Sequence, residues 1–147
     1  MKKYGSRFDK ENEEVPDLKN TEDAAAKLYK ARYAYCRLES NPALKGVNMF
    51  GFLRLKNYFF GNLEISGFTR NMPEPNWNYG VSINEHGWYT DSKNCQETGS
   101  HFNPTKATTH DVIDGNGHVG DLSPMTSDAF GKVEYEIEAQ KATLWGT

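Results

Sequence analysis

No apolar run in this chain of 147 residues approaches the ~20 consecutive residues that a membrane-spanning helix needs. Positive charge is not in excess either: the formal net charge is −3, and charged residues are mixed rather than blocked outside Asp9 to Glu14. A nucleic-acid surface needs a basic stripe, so neither nucleic acid nor a membrane is an expected partner. Met1-Lys2-Lys3 is basic, but no apolar h-region follows, so no signal peptide is visible. The Asn-x-Ser/Thr acceptor for glycosylation is missing. Internal repeats and low-complexity tracts are missing as well. What is there is length enough for one ordinary soluble domain with a real core, and only two cysteines, Cys36 and Cys95.

The chain divides at about residue 32. Residues 1 to 19 are polar and read as an arm. Asn20-Thr21-Glu22-Asp23 reads as a helix start, with a capping oxygen and then acids in the first turn. Ala24 to Lys30 continues that short helix with strong helix formers and ends it on a cation. From residue 33 to 147, period-two alternation takes over. Val133, Tyr135 and Ile137 alternate with Lys132, Glu134, Glu136 and Glu138, the pattern of antiparallel strands with one wet face. We expect an all-β domain of about seven strands, near 33–40, 46–55, 58–67, 79–86, 117–123, 131–138 and 140–146.

Three of the four histidines fall with Asp121 within 21 residues: His101, His110, His118 and Asp121, at spacings of nine, eight and three. Three imidazoles and a carboxylate are a donor set for a closed, tetrahedral, structural Zn²⁺ site. The segment from 87 to 116 has no regular pattern, and a loop of that length needs something to organise it. Zinc would do so, with two ligands inside the loop and two on the strand that follows. His86 stands alone and reads as a surface residue. Ser82 and Asn84, on the strand before the loop, read as ordinary strand residues.

Gly99-Ser100-His101-Phe102-Asn103-Pro104 and His118-Val119-Gly120-Asp121-Leu122 closely resemble the zinc loop of copper/zinc superoxide dismutases. The resemblance runs from about Ala34 to Gly146. It implies a Greek-key antiparallel β-barrel or sandwich, with His101, His110, His118 and Asp121 as ligands of one Zn²⁺ per chain. His110 is displaced by one position from the usual spacing. In the family His101 also bridges to copper. Two copper histidines are replaced here by Ser82 and Asn84, and the fourth is expected beyond Leu144-Trp145-Gly146-Thr147, where the sequence ends. Zinc has no redox chemistry, and a hydroxyl and an amide are weak donors for copper. No copper and no dismutase activity are therefore expected.

The resemblance also bears on the cysteines and the edges. Cys95 matches the family's loop cysteine, whose usual partner lies on a last strand that is missing here. Pairing with Cys36 is one substitute, which would point to an oxidising compartment; two free thiols are the alternative. Without the last strand, strands one and seven keep open edges, which invite pairing with the N-terminal arm or with another subunit. Among non-catalytic relatives, the pattern is most similar to molluscan haemolymph proteins of the pernin, cavortin and dominin type. That resemblance implies a secreted, extracellular carrier of divalent metal ions that forms a homo-oligomer or larger assembly. A decoy or interaction module for dismutase partners, or a weakly active dismutase, are the competing implications.

Overall fold

A computed structural model of the chain describes residues 30–41, 44–87, 95–111 and 116–145. The arm and short helix expected before residue 30 lie outside the described residues. Among the described residues six strands form, in two antiparallel sheets. β1 (Ala31–Glu39), β2 (Phe50–Tyr58), β3 (Leu63–Arg70) and β6 (Val133–Ala139) make a four-stranded sheet in the order β1-β2-β3-β6. β4 (Asn78–Ser82) and β5 (Asp121–Thr126) make a two-stranded sheet. The chain leaves β3 for the small sheet and returns to the large one beside β3, a connection of the Greek-key kind. The all-β antiparallel architecture expected from alternation, and the Greek-key sandwich that the resemblance implied, are the fold observed.

Alternation decides which side chains enter the core. Leu53, Leu63, Ile65, Val133 and Tyr135 point inward from the large sheet, and Leu122 and Met125 meet them from β5. Between them, Glu134, Glu136 and Glu138 stay exposed on the outer face. Tyr135 links the layers further: its hydroxyl donates to the Ser123 carbonyl on β5. Burial pushes that phenol up to about 12 from an ordinary 10.0. A raised pKa favours the neutral phenol in the folded state. Its stabilising contribution is therefore complete below pH 10 and disappears as pH rises through about 12. Tyr135→Phe should cost about 1 kcal/mol at neutral pH, because Ser123 keeps a buried carbonyl without a donor. The same variant should lose less stability than the parent between pH 10 and 12, which urea unfolding at several pH values measures.

Several expected boundaries move, β3 (Leu63–Arg70 against 58–67) and the end of β4 (Ser82 against 86) among them, and three departures have an identifiable cause. β2 starts at Phe50 rather than 46, because Leu44 N–H donates to Asn41 O and Gly46 adopts a positive φ of 82°, turning the chain there. β5 starts at Asp121 rather than 117, because residues 117–120 are held in a turn described below. The strand expected at 140–146 is not formed over the described residues 140–145. Asn57 captures that segment instead. Its side chain is fully buried, and its carbonyl oxygen accepts from Thr143 Oγ1 at 2.7 Å and Leu144 N at 2.9 Å. Its backbone carbonyl accepts from the Trp145 indole at 3.1 Å. The Leu144 N–H, a donor that a ladder could have used, is satisfied by this side chain instead. Among the described residues the outer strands of the large sheet are thus β1 and β6.

Candidate metal centre

The site is built where three backbone segments meet beyond the end of β4. Ile83 N–H donates to Gly120 O, Gly120 N–H to Phe102 O, and Phe102 N–H to Ile83 O, each at 2.8–2.9 Å. This ring of bonds places His101, in an isolated bridge with Asn84, next to the turn that carries His118 and Asp121. Only glycine fits at position 120, since a Cβ there would sit 2.2 Å from Ile83 O and 2.8 Å from Phe102 N. Gly117 is equally confined: its Cβ would lie 2.2 Å from Asp111 N and 2.7 Å from an Asp121 carboxylate oxygen. Lys141 Nζ donates to Gly117 O at 2.7 Å and fixes this turn from outside. Asn103 closes the next turn with both ends of its amide, bonding Ala107 N and O at 2.9 Å, so the chain doubles back to deliver His110.

Asp121 is the centre of the arrangement, with a side chain only 5% exposed. One oxygen, Oδ2, accepts the backbone N–H of His118 at 2.9 Å and of Asp111 at 3.3 Å, which locks the turn. The other, Oδ1, faces three imidazoles: His101 Nδ1 at 2.7 Å, His110 Nδ1 at 3.2 Å and His118 Nδ1 at 3.5 Å. The four residues offer ligand atoms that all lie within 4.8 Å of one another. Burial raises the affinity of Asp121 for a proton, but the bonds from His101, from the His118 backbone and from His110 outweigh it and hold the carboxyl well below its usual range.

This arrangement fits a cation. The edge of a tetrahedron with metal–nitrogen bonds of about 2.05 Å is roughly 3.3 Å, and the Nδ1-to-Oδ1 distances bracket that value. The same nitrogen of each ring faces inward. The rings stand nearly perpendicular, at 84°, 89° and 74° to one another, so their lone pairs converge without stacking. His118 Nδ1 is buried and has no hydrogen-bond partner, a cost that a bound cation removes. All four sequence-derived ligands are therefore brought together. The second layer, Gly117, Gly120, Asn103 and Lys141, was not foreseen as part of the site. The glycines within Gly117-His118-Val119-Gly120 were its visible signal.

The neighbouring strand is different. Ser82 Oγ donates to Asn84 Oδ1 at 2.8 Å, and Asn84 Nδ2 donates to Thr98 Oγ1 at 2.7 Å. These neutral groups satisfy one another. His86 is exposed and contributes only its backbone, donating to Thr98 O at 2.9 Å. Cys36 and Cys95 are both exposed free thiols, so the pairing suggested by resemblance is not formed. Cys95 lies instead beside Asn41, whose amide approaches its sulfur at 3.5 Å.

An antiparallel β-sandwich with three histidines and a buried aspartate at the mouth of a long loop defines a metal-binding β-protein. The sequence profile of copper/zinc superoxide dismutase (SODC) matches residues 50–147, and the chain belongs to that family. The copper chaperone for superoxide dismutase of Homo sapiens is 31% identical over 67 residues, covering 46% of this chain and 24% of that protein. The Cu-Zn superoxide dismutase of Candida glabrata is 43% identical over 73 residues, covering 50% of this chain and 46% of that protein. Among solved structures, the clock protein EA4 superposes with a TM-score of 0.62 at 25% identity, covering 76% of this chain and 66% of that one. The alignments thus span about a quarter and about half of the two curated relatives.

Proposed function

We propose that this chain is a zinc-holding, non-enzymatic member of its family, a secreted carrier of divalent metal that self-assembles. The observation that carries the metal half is the convergence of three Nδ1 atoms on Asp121 Oδ1, beside an Asn84–Ser82 pair whose polar groups are used on each other and on Thr98. His101, His110, His118 and Asp121 would hold the ion. Zinc would supply charge and cross-linking there, but no electron transfer, because it does not change oxidation state. Superoxide dismutation requires that change, and the amide and hydroxyl at 84 and 82 are poor donors for a redox metal. Secretion and the carrier role rest on the resemblance to molluscan haemolymph proteins.

Metal analysis of natively purified protein should give one zinc per chain and no copper, with no dismutase activity after copper is added. Copper at full occupancy near Asn84, or activity above the buffer, would overturn the reading. Removing the metal with a strong chelator should increase protease cleavage between residues 89 and 116, since the loop has few apolar side chains to hold it. Unchanged cleavage with the zinc demonstrably gone would count against a structural ion.

A second reading is supported by the likeness to the human copper chaperone. A domain of this kind would act as an interaction module for dismutase-family chains. It predicts a monomer that captures such a chain in a pull-down, whereas the carrier reading predicts self-association.

A further inference from the structure

The outer face of the four-stranded sheet is not an ordinary wet face. Opposed residues share a side, so the registers define rows across all four strands. One row reads Arg37, Phe52, Phe68, Glu134; the next Tyr35, Arg54, Ser66, Glu136; the third Tyr33, Lys56, Glu64, Glu138. Aromatic and cationic side chains therefore gather on the β1–β2 half, and carboxylates line β6. Tyr35 is 61% exposed and Phe50 51%, and Tyr35 stacks on Phe52 at 5.6 Å between centroids. Large exposed aromatics in one contiguous patch mark a contact surface. A nucleic acid would be repelled by the β6 carboxylates, which argues for a protein occupant with its own acidic and basic halves.

We propose that this face packs on itself, joining two copies face to face about a twofold axis that runs along the strands between β2 and β3. This names the surface for the self-association proposed above and rests on that reading. The operation sets β1 of one copy over β6 of the other and β2 over β3. Each row then meets its own reverse. Arg37 faces the second copy's Glu134, Lys56 its Glu64, Tyr35 its Glu136, and Phe52 its Phe68. Arg54 then faces the second copy's Ser66, and Tyr33 its Glu138. In the fourth row, Glu39, Phe50 and Arg70, Phe50 meets the second copy's Arg70, a contact of the kind Arg70 makes within one chain over the Phe68 ring at 4.7 Å. Such self-complementarity is what an isologous interface requires. Four strands about 4.8 Å apart and about eight residues long cover roughly 500 Å² per copy, which places the dimer in the weak, concentration-dependent class.

The test is sedimentation velocity on the full chain from low micromolar to near-millimolar concentration, with metal content measured on the same samples. The parent should shift from monomer to dimer as concentration rises. Arg37→Glu and Glu134→Arg should each raise the dissociation constant at least about tenfold, by placing like charges in opposition. The double variant should recover most of that loss, because the pair is restored with its polarity reversed. Within its own chain Arg37 pairs with Glu39 and Glu134 with Arg70, but both test side chains are largely exposed, at 70% and 76%, and surface pairs of this kind contribute little, so folding and zinc content should not change. A parent that associates while the single variants associate equally well would overturn this surface but leave self-association standing. A parent that stays monomeric throughout would overturn both. A monomer that binds a single-stranded oligonucleotide through these residues would also replace the proposal.

Discussion

Asp121→Asn should empty the metal centre. The asparagine keeps the shape but loses the negative charge that offsets a dication among three neutral imidazoles. Its Nδ2 also turns a donor toward groups that now meet an acceptor. Removing residues that only support a metal ligand costs about 10- to 100-fold in affinity, so loss of this ligand should cost at least about 100-fold. A second loss is structural. Asp121 Oδ2 holds the amides of His118 and Asp111, and the side chain is 5% exposed. Breaking one partner of a buried charged network costs about 3 kcal/mol even without metal. Two readouts separate these effects: zinc per chain by elemental analysis, and urea unfolding of parent and variant after chelation. Full zinc occupancy in the variant would remove Asp121 from the ligand set.

Gly120→Val should be comparably damaging through geometry alone. The added carbon would overlap Ile83 O and Phe102 N, both backbone atoms that cannot rotate away. The three-way junction would have to open, releasing His101 from the turn that carries His118. Overpacking of this kind costs about 3 kcal/mol, a fall in Tm on the order of 10 °C for a domain of this size. Gly80→Ala is the matched control, because a Cβ there meets nothing within 4 Å. If both variants melt with the parent, the junction is not what sets the site.

How much of this was legible in the sequence depends on whether the controlling contact is local. The three histidines were readable because imidazole is a rare donor and three cluster in one segment, whereas Asp121, one of three aspartates there, was picked out by the resemblance carried by His118-Val119-Gly120-Asp121-Leu122. β6 was readable within two residues, since its alternation of apolar residues with glutamates has one interpretation. The ends of β2 and β3 drifted, because the turn before β2 depends on the positive φ of Gly46 and the hairpin at 59–62 on the bonds that Asn57 and Tyr58 make to Gly61, which composition only hints at. The strand expected at 140–146 does not form over the described residues 140–145, for a reason no local window holds: the partner of Thr143 is Asn57, 86 residues earlier. The Cys36–Cys95 bond was suggested by analogy alone, and the observed thiols are free.

Asn57 deserves a last consequence. Its amide also donates to Gly61 O at 2.8 Å, so one side chain fastens both the β2–β3 hairpin and the segment after β6. Neither can fray independently, which merges them into a single cooperative unit. The Leu144 amide, although it lies in no strand, should therefore exchange with deuterium as slowly as amides in the middle of β3.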